Sequence, residues 1–464
     1  MAESETYDAV VIGSGQAAGP LATALVTSGR KTALIEREHI GGTCINEGCT
    51  PTKTMVASAE VAHTARRAAE YGVTVGGPIS VDMATVRDRK RKIVEQFRTG
   101  SLEAIQAGGV DVIMGEASLA SPHEVNVRLL EGGERRLNSP LIVLNTGRRP
   151  SIPPIPGLTD APYLTSTTIM ELDHVPKHLL VIGGSYVGLE FAQMFCRFGS
   201  KVSIFEAGPA FLPAEDDDIC EAVGDLLLED GIDLSVGVRI LGVEVEGSGE
   251  ITLEIQSGEE RHTVSGSHVL VAAGRTPNSE RLNLPAAGVK TNEKGYIETD
   301  ERLETNVAGI YAAGDVVAGN LAFTHISYDD FRILRANLIY GQNRTRTDRL
   351  IPYTVFIDPQ LGHVGLTEKE AQKRGIAHAV ASMAMSRVAR ADEVGRPQGL
   401  MKAVVDPESK QILGCTVLGM EGGEIMAMIE IAMMSKLPYT ALRDGIFAHP
   451  TLAESLNNLF STLD

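Results

Sequence analysis

Short apolar runs, each followed by a glycine turn and a helical pattern, occur twice along this chain. The first segment extends from Tyr7 to Glu36 and has the order strand, turn, helix, strand. The second extends from Leu179 to Glu206 and repeats that order. Continuous apolar runs are typical of parallel strands that are buried on both faces, so each segment predicts a βαβ unit.

The pattern changes after about residue 350. Strand-like segments at Tyr353–Ile357, Met401–Val405 and Ile412–Leu418 precede an apolar helix at Glu424–Met434. Strands that are grouped before a helix, instead of alternating with helices, predict a separate α+β domain.

Two predicted strands end in the same Gly-Arg-x-Pro sequence, one at 147–150 and the other at 274–277. Such glycine- and proline-containing ends mark points where a chain leaves a sheet. We therefore predict that a second nucleotide-binding domain is inserted into the first, which resumes after it. The predicted fold is α/β, with two Rossmann-like dinucleotide-binding domains and a C-terminal α+β domain. The predicted boundaries are 1–149 and 276–347 for the first domain, 150–275 for the second and 348–464 for the third.

The turn of the first unit has the spacing of a dinucleotide-binding loop. Gly13, Gly15 and Ala18 occupy the three positions of G-x-G-x-x-G/A, and Glu36 follows at the end of the next strand. The first glycine makes the turn, the second lets the backbone approach a pyrophosphate, and the third position packs helix on strand. Because the acidic residue accepts hydrogen bonds from ribose hydroxyls, this segment predicts dinucleotide binding.

The second unit has Gly183, Ser185 and Gly188 in the same three positions. Ser185 adds a Cβ where the backbone should approach phosphate, so a purely structural βαβ unit is the alternative here. Glu206 ends the second strand, and a carboxylate there accepts both ribose hydroxyls but repels a 2′-phosphate. Because the next two residues include no arginine for such a phosphate, the sequence favours NADH over NADPH.

Composition limits the partners and the compartment. The chain has 464 residues, 43% of them apolar, and a net charge of -18 at pH 7. The negative charge argues against nucleic acid and anionic membranes as main partners, and no stretch approaches the roughly 20 apolar residues of a membrane span. The N-terminus lacks the pattern of a signal peptide, so we expect a cytoplasmic protein. Structural disulfides are rare in the cytoplasm, so a cysteine pair there is expected to be catalytic or redox-sensing.

Cys44 and Cys49 lie directly after the first unit. In one helix their Cα atoms would be separated by about 7.5 Å, beyond the roughly 4.4–6.8 Å that a disulfide tolerates. We therefore expect Cys44 in a loop and Cys49 near the start of a helix, with Gly48 supplying the backbone angles of the bend. The alternatives are half of a zinc site and two unrelated core thiols. Zinc is disfavoured because no second close pair of Cys or His follows, so we predict a redox pair and no metal site.

Two more positions carry candidate chemistry. Gly314-Asp315 ends a short predicted strand at Gly309–Ala313, where an acidic side chain points into the ligand crevice of an open α/β sheet. A helix N-cap is the alternative role for Asp315. Near the C-terminus, His449 is followed five residues later by Glu454. Taken alone, such a histidine is more often structural than catalytic.

Together these features resemble the flavoprotein disulfide reductases, the class I pyridine nucleotide-disulfide oxidoreductases, over nearly the whole chain. The most specific signature is the run from Gly41 to Lys53, which reads G-G-T-C-I-N-E-G-C-T-P-T-K. Mercuric reductase-like members show the greatest likeness, and glutathione reductase, dihydrolipoamide dehydrogenase and the hypothiocyanous acid reductases are relatives. The resemblance implies FAD in the first unit and NADH, less favourably NADPH, in the second. It also implies a homodimer, formed by the C-terminal dimerisation domain, in which His449 acts beside the partner subunit's cysteines.

The resemblance also implies roles for individual side chains. Cys49 would be the buried thiolate in charge transfer with the flavin, and Cys44 the exposed thiol that attacks substrate. The other implied roles are Lys53 paired with Glu190 near flavin N5, Tyr186 as a gate over the flavin, Asp315 on the ribityl chain, and His449 with Glu454 as proton shuttle. Further residues assigned to cofactor binding are Thr43, Gly115, Thr146, Gly147, Gly274 and Gly314.

The predicted enzyme passes electrons from NADH through FAD and the Cys44–Cys49 pair to a small disulfide, a thiol-reactive oxidant or Hg(II). Mercuric reductase adds a C-terminal cysteine pair and often an N-terminal metal-binding domain. Neither is found in this sequence, which disfavours efficient delivery of Hg(II). The remaining cysteines, which are predicted to lie in the core, are Cys196, Cys220 and Cys415.

Two other functions are weighed against this one. Dihydrolipoamide dehydrogenase would run the same chemistry toward NAD reduction, and Glu206 suits that coenzyme. A flavin-bound redox sensor without rapid turnover belongs to a different class, and it predicts a flavin that NADH reduces but that no external acceptor reoxidises faster than oxygen does.

Overall fold

The computed structural model describes residues 4–247 and 249–463. These residues divide into two compact units. The first unit contains the described residues of 1–55, 85–151 and 274–349, and the second contains those of 56–84, 152–273 and 350–464.

The strands and helices are numbered in chain order. The strands are β1 Ser4–Thr6, β2 Ala9–Ile12, β3 Thr32–Glu36, β4 Asp111–Ser121, β5 Glu124–Leu129, β6 Glu134–Asn138, β7 Ile142–Leu144, β8 Arg148–Pro150, β9 His178–Ile182, β10 Lys201–Phe205, β11 Asp233–Ser235, β12 Val238–Val245, β13 Ile251–Ser257, β14 Glu260–Gly266, β15 His268–Val271, β16 Arg275–Pro277, β17 Ile310–Ala312, β18 Tyr353–Val355, β19 Gln360–Gly365, β20 Ala379–Ala384, β21 Leu400–Val405 and β22 Ile412–Gly419. The α-helices are α1 Ala18–Thr27, α2 Gly42–Asn46, α3 Cys49–Arg66, α4 Met83–Ala107, α5 Tyr186–Phe198, α6 Asp217–Glu229, α7 Thr324–Tyr340, α8 Glu368–Lys373, α9 Ala389–Glu393, α10 Gly422–Met434, α11 Tyr439–Arg443 and α12 Ser455–Phe460. The 3₁₀ turns are Ala68–Tyr71, Leu158–Asp160, Thr168–Glu171, Glu280–Leu282, Leu284–Ala287, Gly314–Val316, Met385–Arg387 and Ser461–Leu463.

The first unit is organised around one sheet with the strand order β1-β6-β5-β4-β3-β2-β7-β17. Neighbouring strands run parallel in the part of the sheet formed by β4, β3, β2, β7 and β17. The long strand β4 also pairs with β5, and β5 with β6, in an antiparallel meander. Strand β2 is buried along its whole length, as its continuous apolar sequence predicts. Apolar residues of α1 and α7 join those of the central strands in one buried cluster. The first predicted βαβ unit is therefore confirmed as β2-α1-β3.

The two Gly-Arg-x-Pro segments pair with each other. Strands β8 and β16 form a two-stranded antiparallel sheet in which Arg275 lies opposite Pro150 and Pro277 opposite Arg148. The backbone N–H of Ser151 also donates to the Gly274 carbonyl at 3.0 Å. The segments that precede residue 152 and follow residue 273, where the chain leaves the first unit and returns to it, thus lie side by side. The assignment of each domain to a cofactor stays a prediction.

The second unit contains three sheets. Strands β11, β10, β9 and β15 form a parallel sheet, and β12, β13 and β14 form an antiparallel one. The C-terminal sheet has the order β18-β19-β22-β21-β20 and is antiparallel throughout. Its buried side chains pack with those of α10 and α12. The prediction that the C-terminal region has an α+β fold is confirmed. None of the helices in the described part of the chain has the length and apolar character needed to span a bilayer.

Candidate active site and nucleotide-binding loops

The cysteine pair lies in a sharp bend between two helices. Cys44 belongs to the five-residue helix α2, so the expectation that it lies in a loop is wrong, and Cys49 is the first residue of α3. Residues 47 and 48 separate the helices. A Cβ on Gly48 would lie 2.9 Å from the carbonyl oxygen of Thr43. Glycine is therefore required here because the chain folds back closely on α2, and no positive φ is involved.

The side chain of Asn46 stabilises this bend through hydrogen bonds. Its side-chain amide donates to the carbonyl oxygens of Gly42 and Ile40 at 2.9 and 3.0 Å. Its Oδ1 accepts a hydrogen bond from Nε of Arg98, on α4, at 2.9 Å. The hydrogen bonds of this one side chain thus hold α2 in place, a role that was not predicted for Asn46.

The two sulfurs are thiols that hydrogen-bond with each other. Sγ of Cys49 also lies 3.3 Å from Oγ1 of Thr324. Cys49 is exposed and Cys44 half-buried in the protein chain, the reverse of the expected exposures. The hydrogen bond with Cys49, together with burial, raises the pKa of the Cys44 thiol, and Thr324 and Lys53 oppose this only in part. When the pair loses one proton, the charge is therefore favoured on Cys49.

The first nucleotide loop is packed against the carboxyl end of β7. A Cβ on Gly13 would lie 2.4 Å from the carbonyl oxygen of Asn145, and one on Gly15 would lie 2.5 Å from Oδ1 of the same residue. The backbone and hydroxyl of Ser14 both donate to the carboxylate of Glu36, at 3.1 and 2.6 Å. The acidic residue at the end of β3 is thereby tied to the turn, and Ala18 begins α1 directly behind it.

Buried polar atoms of this unit fit a hydrogen-bonding ligand such as FAD. Oδ1 of Asn145 and Oγ1 of Thr146 are buried with no hydrogen-bond partner among the described residues. Asp315 is half-buried, and burial raises the pKa of its carboxyl although Arg275 and Arg148 act in the opposite direction. Leaving such groups without partners is costly, and a nucleotide with a polyhydroxyl chain would supply partners for them.

Asp315 lies inside the 3₁₀ turn Gly314–Val316, whose N-cap is Ala313. The alternative role of Asp315 as a helix N-cap is therefore wrong. A Cβ on Gly314 would lie 2.7 Å from a hydroxyl oxygen of α7, so this turn and the start of α7 are closely packed.

The local backbone structure favours glycine at three other positions that were assigned to cofactor binding. A Cβ on Gly115 would lie 2.7 Å from the carbonyl oxygen of Arg128 on the neighbouring strand. Gly147 and Gly274 adopt positive φ angles of 68° and 113°, which favours glycine whether or not a ligand is bound. The cofactor roles of these glycines and of Thr43 stay predictions.

The second nucleotide loop has the same construction at the carboxyl ends of β9 and β15. A Cβ on Gly183 would lie 2.6 Å from the carbonyl oxygen of Ala272, and one on Gly188 would lie 2.1 Å from the carbonyl oxygen of Gly183. Ser185 occupies the N-cap position of α5 in an extended conformation. Its hydroxyl donates to the Ala272 carbonyl at 3.4 Å, so its side chain is drawn toward β15.

Glu206 repeats the arrangement of Glu36. One carboxylate oxygen accepts a hydrogen bond from the backbone N–H of Gly184 at 2.6 Å, and the other accepts one from Gly208 at 2.7 Å. The carboxylate is thus fixed at the end of β10, beside the glycine turn. This is the position from which an acid binds the ribose hydroxyls of a dinucleotide.

His449 and Glu454 are in contact. Nδ1 of His449 lies 2.8 Å from Oε2 of Glu454, and 65% of the histidine side chain is exposed. The carboxylate therefore orients an imidazole that faces outward from the second unit.

The remaining predicted residues lie on helices α3 and α5. Tyr186 begins α5, and one turn later Glu190 is buried with its carboxylate accepting a hydrogen bond from the backbone N–H of Phe356 at 2.8 Å. Lys53 lies on α3 in the first unit, whereas Glu190 belongs to the second. Their pairing stays a prediction.

Comparison with known sequences decides the family. Residues 7–330 match the family described as pyridine nucleotide-disulphide oxidoreductase, and residues 351–460 match its dimerisation domain. The chain belongs to the pyridine nucleotide-disulphide oxidoreductases. Members of this family are FAD-containing enzymes that also use a nicotinamide nucleotide, and the dimerisation domain supports a homodimer.

Several members of this oxidoreductase family match over the full chain. A probable pyridine nucleotide-disulfide oxidoreductase, RclA of Escherichia coli K12, is 38% identical over 98% of this chain and 99% of its own. A mercuric reductase of Staphylococcus aureus is 33% identical over 99% of this chain and 82% of its own. A dihydrolipoyl dehydrogenase of Haloferax volcanii is 32% identical over 96% of this chain and 94% of its own.

Solved structures of RclA show the same fold. The HOCl-induced flavoprotein disulfide reductase RclA of Escherichia coli superposes with a TM-score of 0.89, at 35% identity over 99% of this chain and 100% of that one. Its Cu(II) complex superposes with a TM-score of 0.91 at 36% identity, with the same coverage.

The other three cysteines of this oxidoreductase lie apart from its redox pair in sequence. Cys415 is buried, as predicted, and burial raises the pKa of its thiol. Cys196 and Cys220 are half-buried, which corrects the prediction that they lie in the core, and burial raises the pKa of each to about 11. Among the residues described, no group of three or more His, Cys, Asp or Glu side chains is placed to hold a metal ion.

Three residues beside the predicted site were not predicted from the sequence, namely Thr324, Ser14 and Asn145. Thr324 is separated from Cys49 by 275 positions and carries no motif. Ser14 lies between two assigned glycines, and Asn145 precedes two assigned residues at the end of a parallel strand. The last two could have been found, since polar side chains at such strand ends face the ligand crevice.

Gly188→Ala tests the packing of the second loop. We expect this change to destabilise the protein by about 2 kcal/mol, because the added methyl group overlaps the Gly183 carbonyl oxygen. The midpoint of thermal unfolding should fall by roughly 5 °C. Gly76→Ala is the matched control, since nothing lies within 4 Å of a Cβ at Gly76. Equal midpoints for the two variants would contradict the close contact between α5 and the turn at Gly183.

Proposed function

We propose that this oxidoreductase uses NADH to reduce a small thiol-reactive oxidant or disulfide at the Cys44–Cys49 pair. For a disulfide the balanced reaction is NADH + H⁺ + RSSR → NAD⁺ + 2 RSH. The observation that carries the proposal is the pair of hydrogen-bonded thiols in the bend between α2 and α3. A cytoplasmic location would suit it, because cysteine pairs there are more often catalytic than structural.

Residues of the first unit would hold FAD. The turn at Gly13 and Gly15 would receive the pyrophosphate, Glu36 would accept hydrogen bonds from ribose, and Asp315 would contact the ribityl chain. The chemistry that FAD would supply there is acceptance of a hydride from NADH and transfer of two electrons to the Cys44–Cys49 disulfide. The family resemblance also implies that Lys53 would pair with Glu190 near flavin N5 and that Tyr186 would be a gate over the flavin.

The chain's own thiols then carry out exchange. The Cys44 thiolate attacks a sulfur of the substrate and expels the first RS⁻, giving a mixed disulfide. The Cys49 thiolate attacks Cys44 Sγ and expels the second RS⁻, which re-forms the Cys44–Cys49 disulfide. Two electrons leave the dithiol and two protons go to the product thiols. Because its pKa is raised, Cys44 needs a base before it can attack.

His449 of the partner subunit would be that base. Its Nδ1 is engaged by Glu454, which leaves Nε2 to take the proton of Cys44 and to protonate the departing thiolate. Imidazole suits both directions because it ordinarily changes charge near neutral pH.

Glu206 would select NADH. We expect the ratio of kcat/KM for NADH to that for NADPH to exceed about 10 in the native enzyme and to fall roughly tenfold in Glu206→Ala, which loses the acceptor for the ribose hydroxyls. Glu244→Ala, at an exposed carboxylate of β12, is the control and should leave the ratio unchanged. An unaltered ratio in Glu206→Ala would exclude this residue as the selector.

A panel of acceptors tests the substrate class. Anaerobic NADH oxidation would be followed with glutathione disulfide, hypothiocyanite, Cu(II) and Hg(II), and Cu(II) is included because RclA has been solved as a Cu(II) complex. We expect at least one acceptor to support about 1 s⁻¹ or more, with loss of turnover in Cys44→Ser. If none reoxidises the enzyme faster than oxygen does, the redox-sensor function is favoured instead.

Dihydrolipoamide dehydrogenase is the second candidate. It is favoured by the match to a dihydrolipoyl dehydrogenase over 94% of that protein's length and by the carboxylate of Glu206. Rapid turnover with dihydrolipoamide and NAD⁺, faster than with any oxidant of the panel, would establish it in place of the first proposal.

A further inference from the structure

Thr324 lies beside the redox pair although its sequence position gives no hint of this. Its Oγ1 is 3.3 Å from Cys49 Sγ, within hydrogen-bond range for sulfur, and both residues belong to the first unit. The same hydroxyl also acts on Cys44, where its hydrogen bond lowers the thiol pKa. One hydroxyl is therefore within reach of both sulfurs.

The Thr324 hydroxyl donates its hydrogen preferentially to one of the two sulfurs. It carries one hydrogen, and a thiolate is a far better acceptor than a thiol because it bears the full charge. Donation from Thr324 is consequently strongest to whichever sulfur is deprotonated. Because Cys44 is half-buried and donates to its neighbour, that sulfur is Cys49.

The backbone around this contact favours the same charge. Cys49 is the first residue of α3, an 18-residue helix, and Thr324 is the first residue of α7, a 17-residue helix. Phe323, at the N-cap of α7, makes no side-chain cap. The positive ends of two helix dipoles therefore meet at the hydroxyl-to-sulfur contact, where they stabilise an anion.

We propose that Thr324 is a positioning residue that donates its hydroxyl hydrogen to the Cys49 thiolate of the reduced pair and so keeps the negative charge on that sulfur. The inference rests on the proposed function, since it gives that dithiol chemistry a specific donor. Loss of the hydroxyl should make Cys49 harder to deprotonate. The remaining proton of the pair would then be shared more evenly between the two sulfurs.

The test uses the FAD-loaded full chain in a Cys44→Ser background, where Cys49 is the sole thiol of the pair. Thr324→Val removes the hydroxyl but keeps the branched shape, Thr324→Ser keeps the hydroxyl, and Thr324→Ala provides a second deletion if the valine variant does not fold. Two readouts are followed against pH. One is the long-wavelength charge-transfer band, and the other is the rate of Cys49 alkylation by iodoacetamide, measured by peptide mass spectrometry.

We expect Thr324→Val to raise the apparent pKa of Cys49 by about 1–2 pH units, which corresponds to roughly 10- to 100-fold less thiolate at a pH well below that pKa. Thr324→Ser should return the pKa close to that of the Cys44→Ser parent. An unchanged pKa in both hydroxyl-deleted variants would overturn the inference. So would a serine variant that behaves like valine, because packing of the methyl group would then be responsible.

Failure of the proposed function has a different signature. If the Cys44→Ser parent shows no charge-transfer band at any pH, the assignment of Cys49 to the flavin is wrong. The alkylation profiles still decide the role of Thr324 in that case, since a shift in Thr324→Val that serine reverses supports it without any flavin signal.

Discussion

Replacing Cys49 by Ser should stop reduction of every external acceptor while leaving FAD bound. We expect kcat to fall by roughly three orders of magnitude or more, as for loss of a covalent catalytic group. The electrons of NADH would reach the flavin but no disulfide, and the mixed disulfide on Cys44 could not be resolved. Because Cys49 is exposed, its replacement should have little effect on folding.

Rapid-mixing measurements separate these effects. Flavin reduction by NADH should keep a rate close to that of the native enzyme, whereas the long-wavelength charge-transfer band should be absent on partial reduction. Cys196→Ser is the matched control, since Cys196 is half-buried and donates to the Asp230 carbonyl at 3.1 Å in the second unit. It should retain both band and turnover. A Cys49→Ser variant that keeps the band would show that the two sulfurs are assigned the wrong way round.

His449→Gln should slow the exchange between the dithiol and its substrate by about 10²- to 10⁴-fold, the usual contribution of a general acid or base. The reason is the raised pKa of Cys44, which leaves the attacking thiol protonated until a base takes its proton. Hydride transfer from NADH needs no such base, so the rate of flavin reduction should change little. Glu454→Gln should give a smaller loss, because the imidazole is kept but its orientation by a carboxylate is weakened.

Single-turnover kinetics of each half-reaction measure this division. His378→Gln is the matched control, since His378 is a half-buried histidine of the same unit whose Nδ1 contacts the Ile376 carbonyl at 2.7 Å. It should leave both half-reactions unchanged. Equal slowing of flavin reduction and thiol exchange in His449→Gln would refute a proton-shuttle role.

The sequence was sufficient where a short segment determines its own structure. The turns at Gly13 and Gly183 follow from glycine spacing and flanking apolar strands, because each needs a close approach that a Cβ would block. The contact of His449 with Glu454 was implied by the family resemblance, and the structure contains it. Local spacing therefore located both loops, and the resemblance supplied this pair.

Spacing was less informative about the cysteine bend and about contacts between distant segments. The Cα–Cα distance that a disulfide tolerates requires a bend between Cys44 and Cys49. It does not indicate that a short helix, α2, contains Cys44. Gly48 was explained by its backbone angles, whereas crowding against Thr43 is the actual cause. The contact of Thr324 with Cys49 depends on how α7 packs in the folded unit, which no local pattern encodes.

The most direct test of the account is an anaerobic reductive titration of the FAD-loaded protein with dithionite. If the flavin and the Cys44–Cys49 disulfide form one electron-transfer chain, each subunit should take up about four electrons, two for each centre. A charge-transfer band should appear after the first two, and both thiols should become open to alkylation. Uptake that ends at about two electrons, with both cysteines unchanged in reactivity, would contradict it.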